Sequence, residues 1–227
     1  MKCEKETMLL YAVTDRMWTG KQTLMEQVED ALKGGATCVQ LREKELDEEK
    51  FLKEAIEMKA LCAKYGVPFI VNDNVEIAIK CKADGIHVGQ SDMEAGNVRA
   101  LVGEDMIIGV STKNVEQALA AQKAGAMPVY QAKWSEALFA DYLGVGAMFH
   151  TGTKLDAEEV SREAAQEITA AVDIPVVAIG GINKKNILEL KGTGVDGVAL
   201  VSAIFGAENI EEECKTLKAL SAEMVQA

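Results

Sequence analysis

Residues 174–182 read Ile174-Pro-Val-Val-Ala-Ile-Gly-Gly-Ile182, and residues 195–202 read Val195-Asp-Gly-Val-Ala-Leu-Val-Ser202. Apart from Asp196, each is a short, continuous apolar run that stops at glycines or at a serine. A strand with one wet face alternates apolar and polar residues. A strand covered on both faces, as in a parallel sheet wrapped by helices, reads instead as a continuous run. Toward the N-terminus, similar runs occupy residues 9–13, 38–41, 68–71, 85–88, 106–110 and 141–145, which makes eight strand candidates.

The segments between these runs carry helical spacing and helix punctuation. Thr23-Leu24-Met25-Glu26 is a capping box, Leu24, Val28 and Leu32 follow at four-residue steps, and Gly34-Gly35 ends the run. Phe51, Ala55, Met58 and Cys62 line one face of a helix that opens on Asp47-Glu48-Glu49. Asn114 and Asn183 are read as caps of two more helices. Eight strands alternating with helices in 227 residues predict an α/β fold, one (β/α)8 TIM barrel domain over residues 1–227, because an open sheet of eight strands usually needs more chain. Residues 127–140 break the rhythm, since helix-to-strand connections are normally a few residues long. This insertion is expected on the barrel face away from the chemistry, as a short amphipathic helix through Trp134, Leu138 and Phe139. A contact between copies in a homo-oligomer is the alternative.

Composition narrows the function classes. With 24 Lys+Arg against 36 Asp+Glu the net charge is -12, which argues against a nucleic-acid partner, because phosphate backbones are held by basic stripes. No apolar run reaches the length of a bilayer span, and Lys2, Glu4, Lys5 and Glu6 are too charged to open a secretory signal, so no membrane partner and a cytoplasmic location are expected. The five cysteines, Cys3, Cys38, Cys62, Cys81 and Cys214, contain no C-x-x-C pair and read as free thiols. Two histidines, His87 and His150, leave little room for a His-based zinc site.

In a TIM barrel the site is built at the C-terminal ends of the strands, so the residues just past each apolar run carry the argument. The second run leads into Gln40-Leu41-Arg42-Glu43-Lys44, where Gln40, Arg42 and Lys44 share one face of an extended chain and form an anion clamp. Taken alone, such a cluster reads as a solvated charge run. The third run ends at Asn72-Asp73 and the fourth is followed by Asp92. Two carboxylates beside a cationic clamp suit a Mg²⁺-bound polyphosphate, although Asp73 is equally readable as a helix cap. Ser111-Thr112-Lys113 follows the fifth run, and Thr151-Gly152-Thr153-Lys154 follows the sixth. Gly180-Gly181 and Ser202 close the last two, where barrels commonly cradle a phosphate on backbone N–H groups. Together these ends predict two anion sites in one mouth for small-molecule substrates, one basic and metal-assisted, the other a monophosphate cradle.

In this order the motifs resemble the thiamine phosphate synthase (thiamine-phosphate pyrophosphorylase) family. The matching pieces are Tyr11-Ala-Val-Thr-Asp15, Val39-Gln-Leu-Arg-Glu-Lys44, Asn72-Asp73, Ala83-Asp-Gly-Ile-His-Val-Gly-Gln90 with Asp92, Gly109-Val-Ser111, Asp141-Tyr-Leu-Gly-Val-Gly146 with Thr151-Gly-Thr-Lys154, Val177-Ala-Ile-Gly-Gly-Ile182 and Val198-Ala-Leu-Val-Ser202. The resemblance implies a transferase of thiamine biosynthesis. It joins 4-amino-5-hydroxymethyl-2-methylpyrimidine diphosphate to 4-methyl-5-(2-phosphoethyl)thiazole, and diphosphate leaves dissociatively before the thiazole nitrogen captures the cation. It implies that Gln40, Leu41, Arg42, Glu43, Lys44, Asn72, Ser111 and Lys154 hold the pyrimidine diphosphate, with Arg42, Lys44, Ser111 and Lys154 catalytic. It also implies that Asp73 and Asp92 hold one Mg²⁺ per subunit, and that Thr151, Gly152, Thr153, Gly181, Val201 and Ser202 hold the thiazole phosphate.

The chain departs from the family pattern at two places. Lys113 stands where the family often has histidine, and His150 where it commonly has proline. Two rival readings share the barrel. A thiazole tautomerase or regulatory relative needs only the thiazole phosphate site, and the full set of Gln40, Arg42, Lys44, Asp73, Asp92 and Lys154 argues against it. A phosphate-sugar isomerase or aldolase needs a desolvated lysine near a carbonyl, whereas these lysines come with carboxylates suited to a metal.

Overall fold

A computed structural model describes residues 3–20, 22–89, 98–123, 140–152 and 158–226. Its eight strands are β1 (Leu10–Val13), β2 (Cys38–Leu41), β3 (Phe69–Asn72), β4 (Gly85–Val88), β5 (Ile107–Thr112), β6 (Tyr142–Val145), β7 (Val176–Ile179) and β8 (Gly197–Leu200). All pair in parallel and in chain order, and β8 returns to β1 to close the barrel. Among the described residues, six of the seven connections between strands carry an α-helix, α1 (Leu24–Lys33), α2 (Glu48–Lys64), α3 (Val75–Lys80), α4 (Val98–Val102), α5 (Val115–Lys123) and α6 (Arg162–Ala171), and α7 (Ser202–Phe205) and α8 (Ile210–Val225) follow β8.

The capping box at Thr23 and Glu26 starts α1, and Asp47 and Asn114 accept the Lys50 and Gln117 amides at the starts of α2 and α5. Each such cap stabilises by about 1 kcal/mol. Phe51, Ala55, Met58 and Cys62 are all buried, as the spacing of α2 predicts, with Leu61 beside them. The connection from β7 to β8 differs from expectation. Asn183 does not start an α-helix; its side chain accepts the Lys185 amide and the chain turns into a single 3-10 stretch, Ile187–Leu190. Gly192 and Gly194, both at positive φ, cut that segment too short to propagate a helix.

Two apolar layers hold the barrel. The outer one lies between the strands and the helices, and the inner one, inside the barrel, is built from Tyr11, Val13, Cys38, Ile70, Ile107, Tyr142, Val177 and Ala199 with Met8 below. A repeated polar device closes the bottom. Asp84, Asp141 and Asp196 stand one residue before β4, β6 and β8 and accept the backbone N–H of Phe69, Ile108 and Val176 at 2.8, 2.7 and 2.9 Å. Each carboxylate also takes a cation, from Lys59, Arg99 and Lys5 respectively. Thr37 plays the same part before β2, its hydroxyl oxygen accepting the Leu10 N–H at 2.8 Å. Every even strand thus pins the start of the odd strand before it.

The insertion expected at residues 127–140 falls almost wholly outside the described residues. At its end, the Ala140 N–H donates to the Ala121 carbonyl of α5 at 3.0 Å, so the chain re-enters β6 beside the helix it left, on the bottom face.

Candidate active site at the barrel mouth

Strand parity decides what reaches the barrel interior. Tyr11 on β1, Cys38 on β2, Ile70 on β3 and Ile107 on β5 face inward, so Gln40, Asn72, Gly109 and Ser111, each an even number of positions further along, do so as well. These positions climb toward the C-terminal rim, and the interior changes from apolar to polar as they do.

The β2 end is the most heavily organised. Gln40 is buried, and its Nε2 donates to the Tyr11 hydroxyl at 2.8 Å. Arg42 stands just beyond the strand, its N–H held by the Thr14 hydroxyl at 3.0 Å and its guanidinium paired with Asp15 at 2.7 Å. One of five guanidinium donors is used there, which leaves the fork available to an anion. Lys44 is exposed, and among the described residues no carboxylate pairs with it. Leu41 is buried in the outer core. The Glu43 carboxylate is committed internally: Oε1 accepts the Lys44 and Glu45 amides at 2.7 Å and Leu46 at 3.2 Å, while Oε2 accepts from Arg16, which also reaches Glu54 on α2. Burial opposes the charge on Glu43, but Arg16 and the loop amides outweigh it and hold its pKa below the ordinary value. Glu43 therefore fixes the path on which Gln40, Arg42 and Lys44 stand.

Asn72 closes β3, and Asp73 follows it, exposed, at φ 61° with its N–H on the His87 carbonyl at 2.8 Å. The Asn72 amide donates to the Asp73 carboxylate. The cap of α3 is Asn74, not Asp73, so the helix-cap reading of Asp73 falls away and its carboxylate is not spent on that helix. Asp92, the second carboxylate read from the sequence, lies outside the described residues, as do Thr153 and Lys154.

Across the mouth, the loops after β6 and β7 press together. The Met148 and Phe149 amides donate to the Ile179 and Gly180 carbonyls at 2.9 and 3.1 Å. A Cβ on Gly181, which sits at φ 66°, would lie 2.4 Å from the His150 carbonyl oxygen, so only glycine allows this approach. Thr151 and Gly152 follow directly, which brings them to the Gly181 turn. Val201 and the exposed Ser202 come at the end of β8 and the start of α7. Lys113 pairs with Glu158 at 3.1 Å, and His150 is exposed. A surface cavity of about 450 Å³ also touches Ser202, but Glu208, Glu212 and Glu213 line it and Lys184 there is already paired with Glu213. Its charge is wrong for an anionic ligand.

Three groups of the barrel interior escape a reading based on strand ends. Tyr11, His87 and Tyr142 sit inside the strands and join Gln40 to Ser111: the two phenol oxygens are 2.8 Å apart, His87 Nδ1 lies 2.9 Å from Tyr142, and His87 Nε2 lies 2.9 Å from Ser111 Oγ. The signal available was a hydroxyl or imidazole at an inward position of an otherwise apolar run.

Comparison with known proteins shows the family to which the chain belongs. A family model described as thiamine monophosphate synthase matches residues 10–204. A thiamine-phosphate synthase of Clostridium botulinum is 48% identical over 209 residues, covering 92% of each chain. One of Ruminiclostridium cellulolyticum is 47% identical over 208 residues, again covering 92% of each. The solved structure of a thiamine phosphate pyrophosphorylase from Pyrococcus furiosus superposes with a TM-score of 0.83 at 35% identity, covering 97% of this chain and 98% of that one.

Proposed function

Because the chain belongs to the thiamine monophosphate synthase family, we propose that its barrel mouth joins 4-amino-5-hydroxymethyl-2-methylpyrimidine diphosphate to 4-methyl-5-(2-phosphoethyl)thiazole and releases diphosphate. The observation that carries this reading is the convergence on one barrel end of Gln40, Arg42, Lys44, Asn72, Asp73 and Ser111, two cations, three neutral polar groups and one carboxylate above an apolar interior.

In the reaction the bond between the pyrimidine methylene and the diphosphate oxygen breaks, the electron pair leaves with diphosphate, and the thiazole nitrogen donates its pair to the methylene cation. No side chain need act as nucleophile. What the protein supplies is charge placed in advance where charge gathers. Arg42, already oriented by Asp15, and Lys44 stabilise the leaving diphosphate, with Asn72, the Ser111 hydroxyl and Lys154 as further donors. Leu41 and Glu43 hold the β2 loop in the path this requires. Gln40, whose amide nitrogen is committed to Tyr11, offers its carbonyl oxygen to the exocyclic amine of the pyrimidine. Thr151, Gly152, Thr153, Gly181, Val201 and Ser202 hold the thiazole phosphate on the opposite side, where the glycine backbone permits close approach.

The exposed Asp73 carboxylate, aligned by Asn72, is a hard oxygen donor of the kind Mg²⁺ prefers when it also binds phosphate oxygens. Asp73 with Asp92 would hold one such ion per subunit, which neutralises diphosphate charge when bound. Activity should vanish in excess EDTA and return with Mg²⁺. Undiminished turnover in chelator would remove the metal and its two aspartates from the account.

A further inference from the structure

We propose that Tyr11, Tyr142 and His87 carry one directed run of hydrogen bonds from Gln40 to Ser111, which holds His87 in its Nε2–H tautomer and turns the Ser111 hydroxyl proton toward the diphosphate. The inference rests on the proposed function for what Ser111 and Gln40 touch, and on geometry for everything between them.

The direction follows from counting protons. An amide nitrogen only donates, so Gln40 Nε2 gives its proton to the Tyr11 oxygen at 2.8 Å. The Tyr11 proton then goes to the Tyr142 oxygen, also at 2.8 Å. Tyr142 has accepted, so its own proton is available to His87 Nδ1 at 2.9 Å. A ring nitrogen that accepts leaves the proton on the other nitrogen. His87 Nε2 therefore donates to Ser111 Oγ at 2.9 Å, and the serine proton is not spent on His87. Burial pushes both phenols well above their ordinary range, so each keeps its single proton. The Cys38 thiol also touches Tyr11. Were Tyr11 to donate there, the run would reverse and His87 would carry its proton on Nδ1. A thiol is a weak acceptor beside a phenol oxygen at 2.8 Å, which favours the forward direction.

The surrounding barrel is shaped for this run. A Cβ on Gly109 would lie 2.1 Å from Tyr142 Cζ and 2.5 Å from His87 Nδ1, and one on Gly144 would lie 3.2 Å from His87 Cε1. Two strands give up side chains so that His87 and Tyr142 can meet in the interior. In a low-dielectric core such runs polarise along their length, so the substrate's amine side and its diphosphate side are felt through one set of bonds. Tyr142 and His87 are on this view positioning residues that act through Ser111.

Two measurements test it. The chain has two histidines, and the exposed His150 is removed by His150→Gln, so nitrogen NMR of the imidazole in that variant reads His87 alone. The expected spectrum has a pyrrole-like, protonated Nε2 and a pyridine-like Nδ1; the opposite assignment overturns the direction. Tyr142→Phe should lower kcat at least tenfold in the wild-type background, with KM for the thiazole phosphate little changed. In a Ser111→Ala background it should lower kcat less than twofold, because the group it orients is gone. Equal losses in the two backgrounds would make the Tyr142 hydroxyl merely structural, with folding followed by circular dichroism throughout. If the wild-type protein formed no thiamine phosphate, the functional reading would fall while the NMR result still stood for or against the run itself.

Discussion

Arg42 and Glu43 are adjacent in sequence and opposite in use. Arg42 turns toward the mouth with one partner, Asp15, while Glu43 turns back into the loop and satisfies three amides and Arg16. Arg42→Ala should therefore lower kcat by roughly two to three orders of magnitude, the scale of losing one aligned charge donor, with the circular dichroism spectrum kept. Near-normal turnover would remove its charge-stabilising role. Glu43→Gln should act on stability instead. Because the folded pKa of Glu43 lies below its ordinary 4.5, its contribution is complete above that value and disappears as pH falls through the lower folded value. The gap in Tm between wild type and Glu43→Gln should thus be widest near neutral pH and close as the pH falls below 4.5 and through the lowered folded value. A gap independent of pH would mean that packing, not charge, is what Glu43 contributes.

At the scale of elements, the aspartates before β4, β6 and β8 carry more than their positions in sequence suggest. Asp84→Ala leaves the Phe69 N–H and Lys59 without their acceptor, a loss of about 1–3 kcal/mol and a fall in Tm of several degrees, while kcat well below the transition stays at its wild-type value. Unchanged Tm would make the bottom clamp ornamental. The elements themselves were legible wherever burial set the pattern. The strand runs at residues 38–41 and 85–88 coincide with β2 and β4, and the capping box opens α1. Where sequence and structure differ, a local signal lacks its tertiary context. Asn183 caps a turn rather than a helix because the glycines at 192 and 194 end the segment, and Asp73 yields the cap of α3 to Asn74. Tyr11, His87 and Tyr142 lie beyond a reading of strand ends because their partners are 24 to 131 residues away in sequence, and a pattern of apolar runs holds no information about which hydroxyl meets which ring.

For the whole molecule, the barrel separates what stabilises from what reacts. Carboxylates with dedicated cations close the bottom, and the top gathers cations and hydroxyls around an exposed aspartate. The chain leaves α5 and re-enters β6 on the bottom face, so deleting residues 127–139 should leave kcat within about twofold while changing stability or association. A folded deletion variant without activity would instead tie that segment to the chemistry. The central claim is that one mouth holds two anionic substrates and expels diphosphate from the first only to the benefit of the second. The most direct test supplies purified protein with the pyrimidine diphosphate and Mg²⁺, with and without the thiazole phosphate, and measures diphosphate and thiamine phosphate together. The account predicts equal amounts of both products when the thiazole phosphate is present. Thiazole phosphate that binds while neither product forms would contradict it and leave only half of the proposed site in place.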